Sequence, residues 1–330
     1  MSRLMSAVHI ESGRVEVREA PIPARPPGFA LIKLLAAGIC NTDIELLRGY
    51  YGFSGTPGHE FVGLVEEADS AALVGRRVVG EINLACGACD WCRAGLGRHC
   101  PHRTVLGIAG HPGAFSEYFT LPERNLHVVP DRISTERATF TEPVAAACEI
   151  LDQVAIPAGR EVAVLGDGKL GLLAAQVLAA HGAAVHLYGR HAAKLAIAAA
   201  CGARTFENAE LPVARYDLVI EATGAREGLP AAIRMTRPRG TVVMKSTVHG
   251  EVPLDTAPAI VNEITLTGSR CGRFEPALEL LAGERLRVEE MITDRFPLAD
   301  APQAFARATE SGVLKVLLEN ADPSLAAAAL

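Results

Sequence analysis

From about residue 143 the chain alternates between short apolar runs and amphipathic stretches: EVAVLG, KLGLLAAQVLAAHG, AVHLYGR, AAKLAIAAACG, DLVIEATG, EGLPAAIRMTR and GTVVMKS. Continuous apolar runs suit strands buried on both faces, and helical periodicity between them supplies the crossovers that return the chain for parallel pairing. Gly182 and Gly202 end two of the helical stretches, as residues free to turn left-handed do. The text predicts an α/β, doubly wound parallel sheet over 143–271.

The turn after EVAVL reads Gly166-x-Gly168-x-x-Gly171 and opens the helix KLGLLAAQVLAAHG. The first glycine allows the tight turn, the second lets a pyrophosphate reach the backbone, and the third lets helix and strand pack closely. Phosphate charge then meets the helix N-terminus. A glycine-rich βα turn without a nucleotide is the bland alternative, but a strand before and a helix after favour dinucleotide binding.

Residues 1–142 read differently, with short β-rich runs (VEVREA, FALIKLLAAG, FVGLVEEA, RRVVGEI, FSEYFTL, HVVP) between Gly/Pro turns. That pattern predicts a mostly antiparallel domain. After 271 a helix (PALELLAGE), a second helix (DAPQAFARATES) and the strand KVLLE are too little for a third domain and are expected to complete the first. The tail ADPSLAAAAL is expected to fray or dock loosely.

A chain of 330 residues is long enough for two cores, and its 49% apolar content excludes disorder. A net charge of -6 offers no excess positive field for nucleic acid or anionic lipid, so small molecules are the expected partners. No signal segment and no membrane-length apolar run is visible, which predicts a cytoplasmic protein without a membrane partner.

Four of the eight cysteines fall in CGACDWCRAGLGRHC, as Cys86, Cys89, Cys92 and Cys100. Four thiolates this close converge naturally on one tetrahedral ion and leave no open position, which predicts a structural zinc. Free thiols or disulfides would not need such clustering. An iron–sulfur site is the sharper rival, since Pro101 follows the fourth cysteine, but the last spacing is too long for that motif.

A second constellation is dispersed: Gly38-Ile39-Cys40-Asn41-Thr42-Asp43, then Gly58-His59-Glu60, then Thr141-Glu142-Pro143. Cys40, His59 and a carboxylate could supply the mixed shell of a catalytic zinc. Singly, each has a dull reading, as a buried small residue, a turn histidine and a helix-start acid. In this order, with the cysteine lobe, the glycine turn and the closing FPLADAPQAF and KVLLE, they resemble the zinc-dependent medium-chain dehydrogenase/reductase family of alcohol, threonine and polyol dehydrogenases.

The resemblance implies a GroES-like catalytic domain over 1–142 and 272–330, and a Rossmann domain over 143–271. It implies Cys40 and His59 as catalytic zinc ligands, with Glu60 and Glu142 taking or exchanging the third position. Thr42 would pass the substrate proton outward and Asp43 would support the ligands from behind. The cofactor candidates are Gly166, Asp167, Gly168, Lys169, Leu170, Gly171, Gly189, Arg190, His191, Lys194, Thr223 and Gly224. The implied reaction is hydride transfer between an alcohol or carbonyl and a nicotinamide. EITLTGS resembles the family's subunit-joining edge, which implies a homodimer or homotetramer. A catalytically silent nucleotide-binding sensor is the rival; a decayed enzyme would be expected to lose metal ligands first, and both sets are intact.

Two departures bear on specificity. The segment IELLRGYYGFSGTP between Cys40 and His59 is short, which predicts a trimmed loop, and Glu149 stands where relatives commonly carry a histidine. A carboxylate there could reach the metal or a polar substrate, but a solvated or cofactor-facing role is expected for Glu149. The acid that would hold the ribose 2′-hydroxyl of NAD is replaced by Gly189, which leaves room for a 2′-phosphate. Arg190, His191 and Lys194 follow, which predicts NADP over NAD.

Overall fold

A computed structural model describes residues 3–248 and 251–321. The tail from 322 onward, expected to fray, lies outside the described residues. The chain divides into two compact units, Met1–Glu142 with Ile292–Leu330, and Pro143–Met291.

The first unit is built on a seven-stranded sheet whose central strand is Phe29–Gly38. FALIKLLAAG lacks polar alternation because nearly every position of this strand is buried. Glu60–Glu67 pairs antiparallel along one edge, and Tyr118–Pro122 and Lys315–Glu319 share the other. The register sets Gly38 opposite both Glu60 and Leu317. Strand Ile292–Pro297 closes that end by pairing parallel with Lys315–Glu319. The C-terminal segment therefore carries Lys315 into the middle of a sheet begun nearly three hundred residues earlier.

The first four residues of the segment expected as a trimmed loop belong to helix Asn41–Leu47, and the rest carries only the short 3-10 turn Tyr50–Gly52. Asp43 accepts from the Cys40 backbone N–H at 2.8 Å, and Ile44 and Leu46 are buried. The capping acid and two apolar anchors outweigh the turn-forming residues beyond.

The second unit holds a six-stranded parallel sheet. Its spatial order is Arg204–Glu207, Ala184–Gly189, Glu161–Leu165, Tyr216–Glu221, Thr236–Met244 and Thr265–Gly268. The order reverses direction beside Glu161–Leu165, and such a reversal marks the carboxyl-end position where doubly wound sheets bind ligands. Val162, Ala163 and Val164 are fully buried, as are Leu172, Leu173, Ala174 and Ala175 of helix Lys169–His181. Each large aliphatic side chain buried in this way contributes about 1.5–3 kcal/mol.

The boundary expected at 271 falls instead at 291. Helix Phe274–Leu281 buries Phe274, Ala277, Leu278 and Leu281 within the second unit. A Cβ on Gly272 would stand 1.8 Å from the Ala145 carbonyl oxygen, Arg273 pairs with Asp152, and the Arg287 N–H donates to Gln176 at 2.7 Å. These contacts connect positions far apart in the chain, which is why the helix alone gave no sign of its owner. Among the described residues no helix is long and apolar enough to cross a membrane.

Candidate active site

In the first unit, ligand atoms of Cys40, His59 and Glu60 lie within 4.8 Å of one another. Cys40 follows the central strand and caps the helix, while His59 immediately precedes and Glu60 begins the neighbouring strand, whose pairing with Gly38 brings the three close. Glu142, the other carboxylate expected here, is not in this group. Thr42 is half-buried, and its Oγ1 accepts from Cys40 Sγ at 3.8 Å.

Asp43 is fully buried behind this group. Its Oδ1 stands 3.4 Å from His59 Nδ1, an ion-pair distance, and neither atom has a hydrogen-bond partner. Burial pushes the His59 pKa down, but the Asp43 charge and the Cys40 thiol push it up further, and the balance lies well above the ordinary value. The site thus draws positive charge to itself. A cysteine sulfur, an imidazole and a carboxyl group, backed by a buried acid on the far side of the imidazole, are a donor set that fits zinc.

Glu60 has a partner that sequence reasoning missed. Lys315 Nζ donates to its Oε2, and both side chains are buried. A Cβ on Gly38 would stand 2.6 Å from Glu60 Oε2 and 3.0 Å from Lys315 Cδ, so the absence of a side chain at 38 is what admits the pair.

The four-cysteine lobe fits a single ion. Its sulfurs are separated by 3.5 Å (Cys89 to Cys92, and Cys100 to Cys86), 3.7 Å (Cys89 to Cys100) and 3.9 Å (Cys86 to Cys92). Zinc–sulfur bonds of about 2.3 Å put the corners of a tetrahedron about 3.8 Å apart. Disulfide sulfurs would lie at about 2.05 Å, and cysteines around an iron–sulfur cluster would stand much farther apart. Backbone N–H groups of Ala88 and Cys89 pull the Cys86 thiol down to about 6, toward the thiolate a metal requires.

In the second unit the glycine turn is shaped for a phosphate. Gly166 has φ +115°, a Cβ on Gly171 would stand 2.0 Å from the Gly166 carbonyl oxygen, and Gly168 faces open space. Lys169 and Leu170 begin the helix that follows. Beyond the third strand of the repeat, Glu221 Oε1 accepts from the Thr223 N–H and hydroxyl at 2.8 and 2.6 Å, and from Ser246 Oγ at 3.0 Å. Ser246 in turn accepts from the Gly224 N–H at 2.8 Å. Glu221 and Ser246 therefore set the Thr223–Gly224 loop, although nothing in the motif pointed to them.

The room expected beside Gly189 is not empty. Asp167 turns its carboxylate into it, and Oδ2 accepts from the Arg190 N–H at 2.8 Å, the His191 N–H at 2.7 Å and His191 Nδ1 at 2.9 Å. Burial pushes the Asp167 pKa up, but the N–H groups and His191 outweigh it and hold the group below the ordinary carboxylate value. Arg190 is exposed, and its guanidinium makes no hydrogen bond or ion pair among the described residues. Glu149 is buried rather than solvated.

A GroES-like sheet with a four-thiol lobe and a doubly wound dinucleotide sheet define a class, the zinc-binding dehydrogenases. Residues 26–131 match the alcohol dehydrogenase GroES-like domain family and residues 170–283 match the zinc-binding dehydrogenase family. The chain belongs to the zinc-dependent medium-chain dehydrogenase/reductase family. It is 30% identical over 324 residues to D-arabitol-phosphate dehydrogenase of Enterococcus avium, covering 91% of this chain and 92% of that one. Among solved structures it resembles a zinc-binding dehydrogenase of Sinorhizobium meliloti bound to NADP, with a TM-score of 0.87 and 32% identity over 96% of this chain and 99% of the other. An alcohol dehydrogenase of Escherichia coli complexed with NADH is similar at a TM-score of 0.88 and 25% identity, over 97% and 100% of the two chains.

Proposed function

We propose that this dehydrogenase exchanges a hydride between a polyol-type alcohol, or its carbonyl, and a nicotinamide cofactor, with NADP preferred. The observation that carries the reading is the convergence of Cys40, His59 and Glu60 in front of the buried Asp43. The name of the arabitol-phosphate relative supports a polyol class of substrate.

Zinc bound there supplies Lewis acidity toward a substrate oxygen. Cys40 and His59 hold it, with Glu60 or Glu142 as the exchangeable carboxylate. Asp43 receives the Cys40 N–H and faces His59 Nδ1, so it fixes both ligands and directs the opposite ring nitrogen forward. Thr42 takes the hydroxyl proton of an alcohol and hands it outward, which its half-buried position favours. Cys86, Cys89, Cys92 and Cys100 hold a second, structural zinc with no open position.

The Arg190 guanidinium, without a partner among the described residues, and the neighbouring Lys194 support NADP, as does the absence of an acid at 189. The exposed Leu266 on edge strand Thr265–Gly268 supports pairing into a homodimer or homotetramer. No cysteine forms a disulfide among the described residues, which fits a reducing cytoplasm.

The test is metal analysis together with a screen of alcohols, polyols and their carbonyls against both cofactors, read by nicotinamide absorbance. Two zinc ions per chain and turnover of at least one substrate class are expected. Zinc-loaded protein that binds nucleotide and turns over nothing would replace this reading with a sensor.

A further inference from the structure

The NADP expectation counts the room at Gly189 and the basic residues Arg190, His191 and Lys194. It leaves out the acid that the tertiary structure brings among them. Asp167 is the variable residue between the first two glycines of the turn, and it lies at the end of a different strand from Gly189. The strands Glu161–Leu165 and Ala184–Gly189 pair in parallel, so their carboxyl ends lie side by side. A Cβ built on Gly189 would come within 2.6 Å of Asp167 Cβ, 2.7 Å of Cγ and 2.8 Å of Oδ2. The Asp167 carboxylate therefore occupies the volume where a strand-end acid at 189 would project.

It also takes the donors there. The Arg190 and His191 N–H groups precede helix Ala192–Ala200, and with the His191 ring they converge on a single oxygen of Asp167. These N–H groups, at a helix N-terminus, are the natural donors for an incoming anion. An anion already fixed on them must be repelled or displaced by another.

The geometry points to Asp167 as the residue that sets the discrimination between NAD and NADP, by placing a fixed negative charge and a filled donor set where the 2′-phosphate would seat. This rests on the dinucleotide reading of the second unit and limits the NADP preference proposed for it. Arg190 and Lys194 attract the phosphate, Asp167 opposes it, and the observed selectivity is the difference.

The experiment is isothermal titration calorimetry of NADP+, NAD+, 2′,5′-ADP and 5′-AMP against the full-length wild type, Asp167→Asn and Asp167→Ser. Asparagine keeps an acceptor for the two N–H groups, and serine reports removal of the side chain should asparagine disturb the turn; melting temperatures check both. Removing the charge is expected to tighten NADP+ and 2′,5′-ADP by roughly tenfold and to leave NAD+ and 5′-AMP within about twofold, as loss of one nearby like charge requires. An unchanged ratio in both folded variants, or a shift toward NAD+, overturns the inference while leaving nucleotide binding intact. If the wild type binds NAD+ more tightly yet the ratio still moves toward NADP+, the inference stands and the NADP preference falls. Failure of every nucleotide to bind the wild type overturns the dinucleotide reading and the inference with it.

Discussion

Lys315 and Glu60 form an ion pair inside the first unit, their side chains only 2% and 1% exposed. The lysine comes from the last described strand and the glutamate from the strand on the opposite side of Gly38, so strand Lys315–Glu319 and the Cys40, His59 and Glu60 group are tied through one charge pair. Burial opposes the lysine's charge, but Glu60 and the nearby Cys40 and Asp43 raise its pKa above the ordinary value.

Removing one partner of such a pair strands the other. In the metal-free protein Lys315→Met should therefore cost about 3–5 kcal/mol of stability, because Glu60 would remain as an uncompensated buried charge. The double variant Lys315→Met with Glu60→Gln should recover most of that loss, since a neutral pair carries no such penalty. Urea unfolding of the three proteins measures this, and equal losses in the single and double variants would show that lysine packing, rather than charge, holds the strand.

The two thiol sites should separate in their effects. If the lobe holds the proposed structural zinc, Cys89→Ser breaks its shell and should lower the melting temperature and remove one zinc. His59→Ala and Cys40→Ser should remove the other zinc and abolish turnover with little change in melting. Metal content, melting curves and turnover on the same preparations give the answer; a His59→Ala protein with wild-type activity would end the catalytic assignment.

A pH dependence follows from His186. It is buried on the strand Ala184–Gly189, with Nδ1 2.9 Å from Tyr216 Oη, and Tyr216 Oη lies 2.7 Å from Tyr188 Oη. Burial pushes its pKa down, and Glu161 only partly offsets this. The unfolded chain therefore takes up this proton first as the pH falls. The contribution of neutral His186 is complete above about pH 6.5 and is lost as the pH drops through the lower folded-state value. Between about pH 7.5 and about pH 5 the melting temperature of the wild type should fall more steeply than that of His186→Gln, which keeps a polar partner for Tyr216 but does not titrate there. Parallel curves would mean that other groups dominate.

The filled space at 189 makes one substitution depend on another. Gly189→Asp alone should be destabilising, since its Cβ would overlap Asp167 at 2.6 Å. In an Asp167→Gly background the same change has room and should move preference toward NAD. Arg190→Ala should weaken NADP by roughly tenfold, the scale of a solvent-exposed charged hydrogen bond, and leave NAD nearly unaffected. Calorimetric titration of both cofactors against the set decides it. If Gly189→Asp alone melts like the wild type, Asp167 yields more easily than its three hydrogen bonds suggest.

The sequence by itself determined the elements whose cause is local. A continuous apolar run needs burial, a glycine at φ +115° needs no Cβ, and four cysteines within one short lobe need only a turn to meet, so the parallel sheet, Gly166 and the Cys86 to Cys100 cluster were legible from patterns and spacing. The order of Cys40, His59 and Glu60 was legible as a resemblance, and a strand register then brought the three together. Only the tertiary structure decided which distant groups occupy the same volume. It gave helix Phe274–Leu281 to the second unit, paired Glu60 with Lys315, and set Asp167 in the space that Gly189 leaves. Pairing of charges and filling of side-chain volumes depend on separation in space, and neither composition nor periodicity carries that distance.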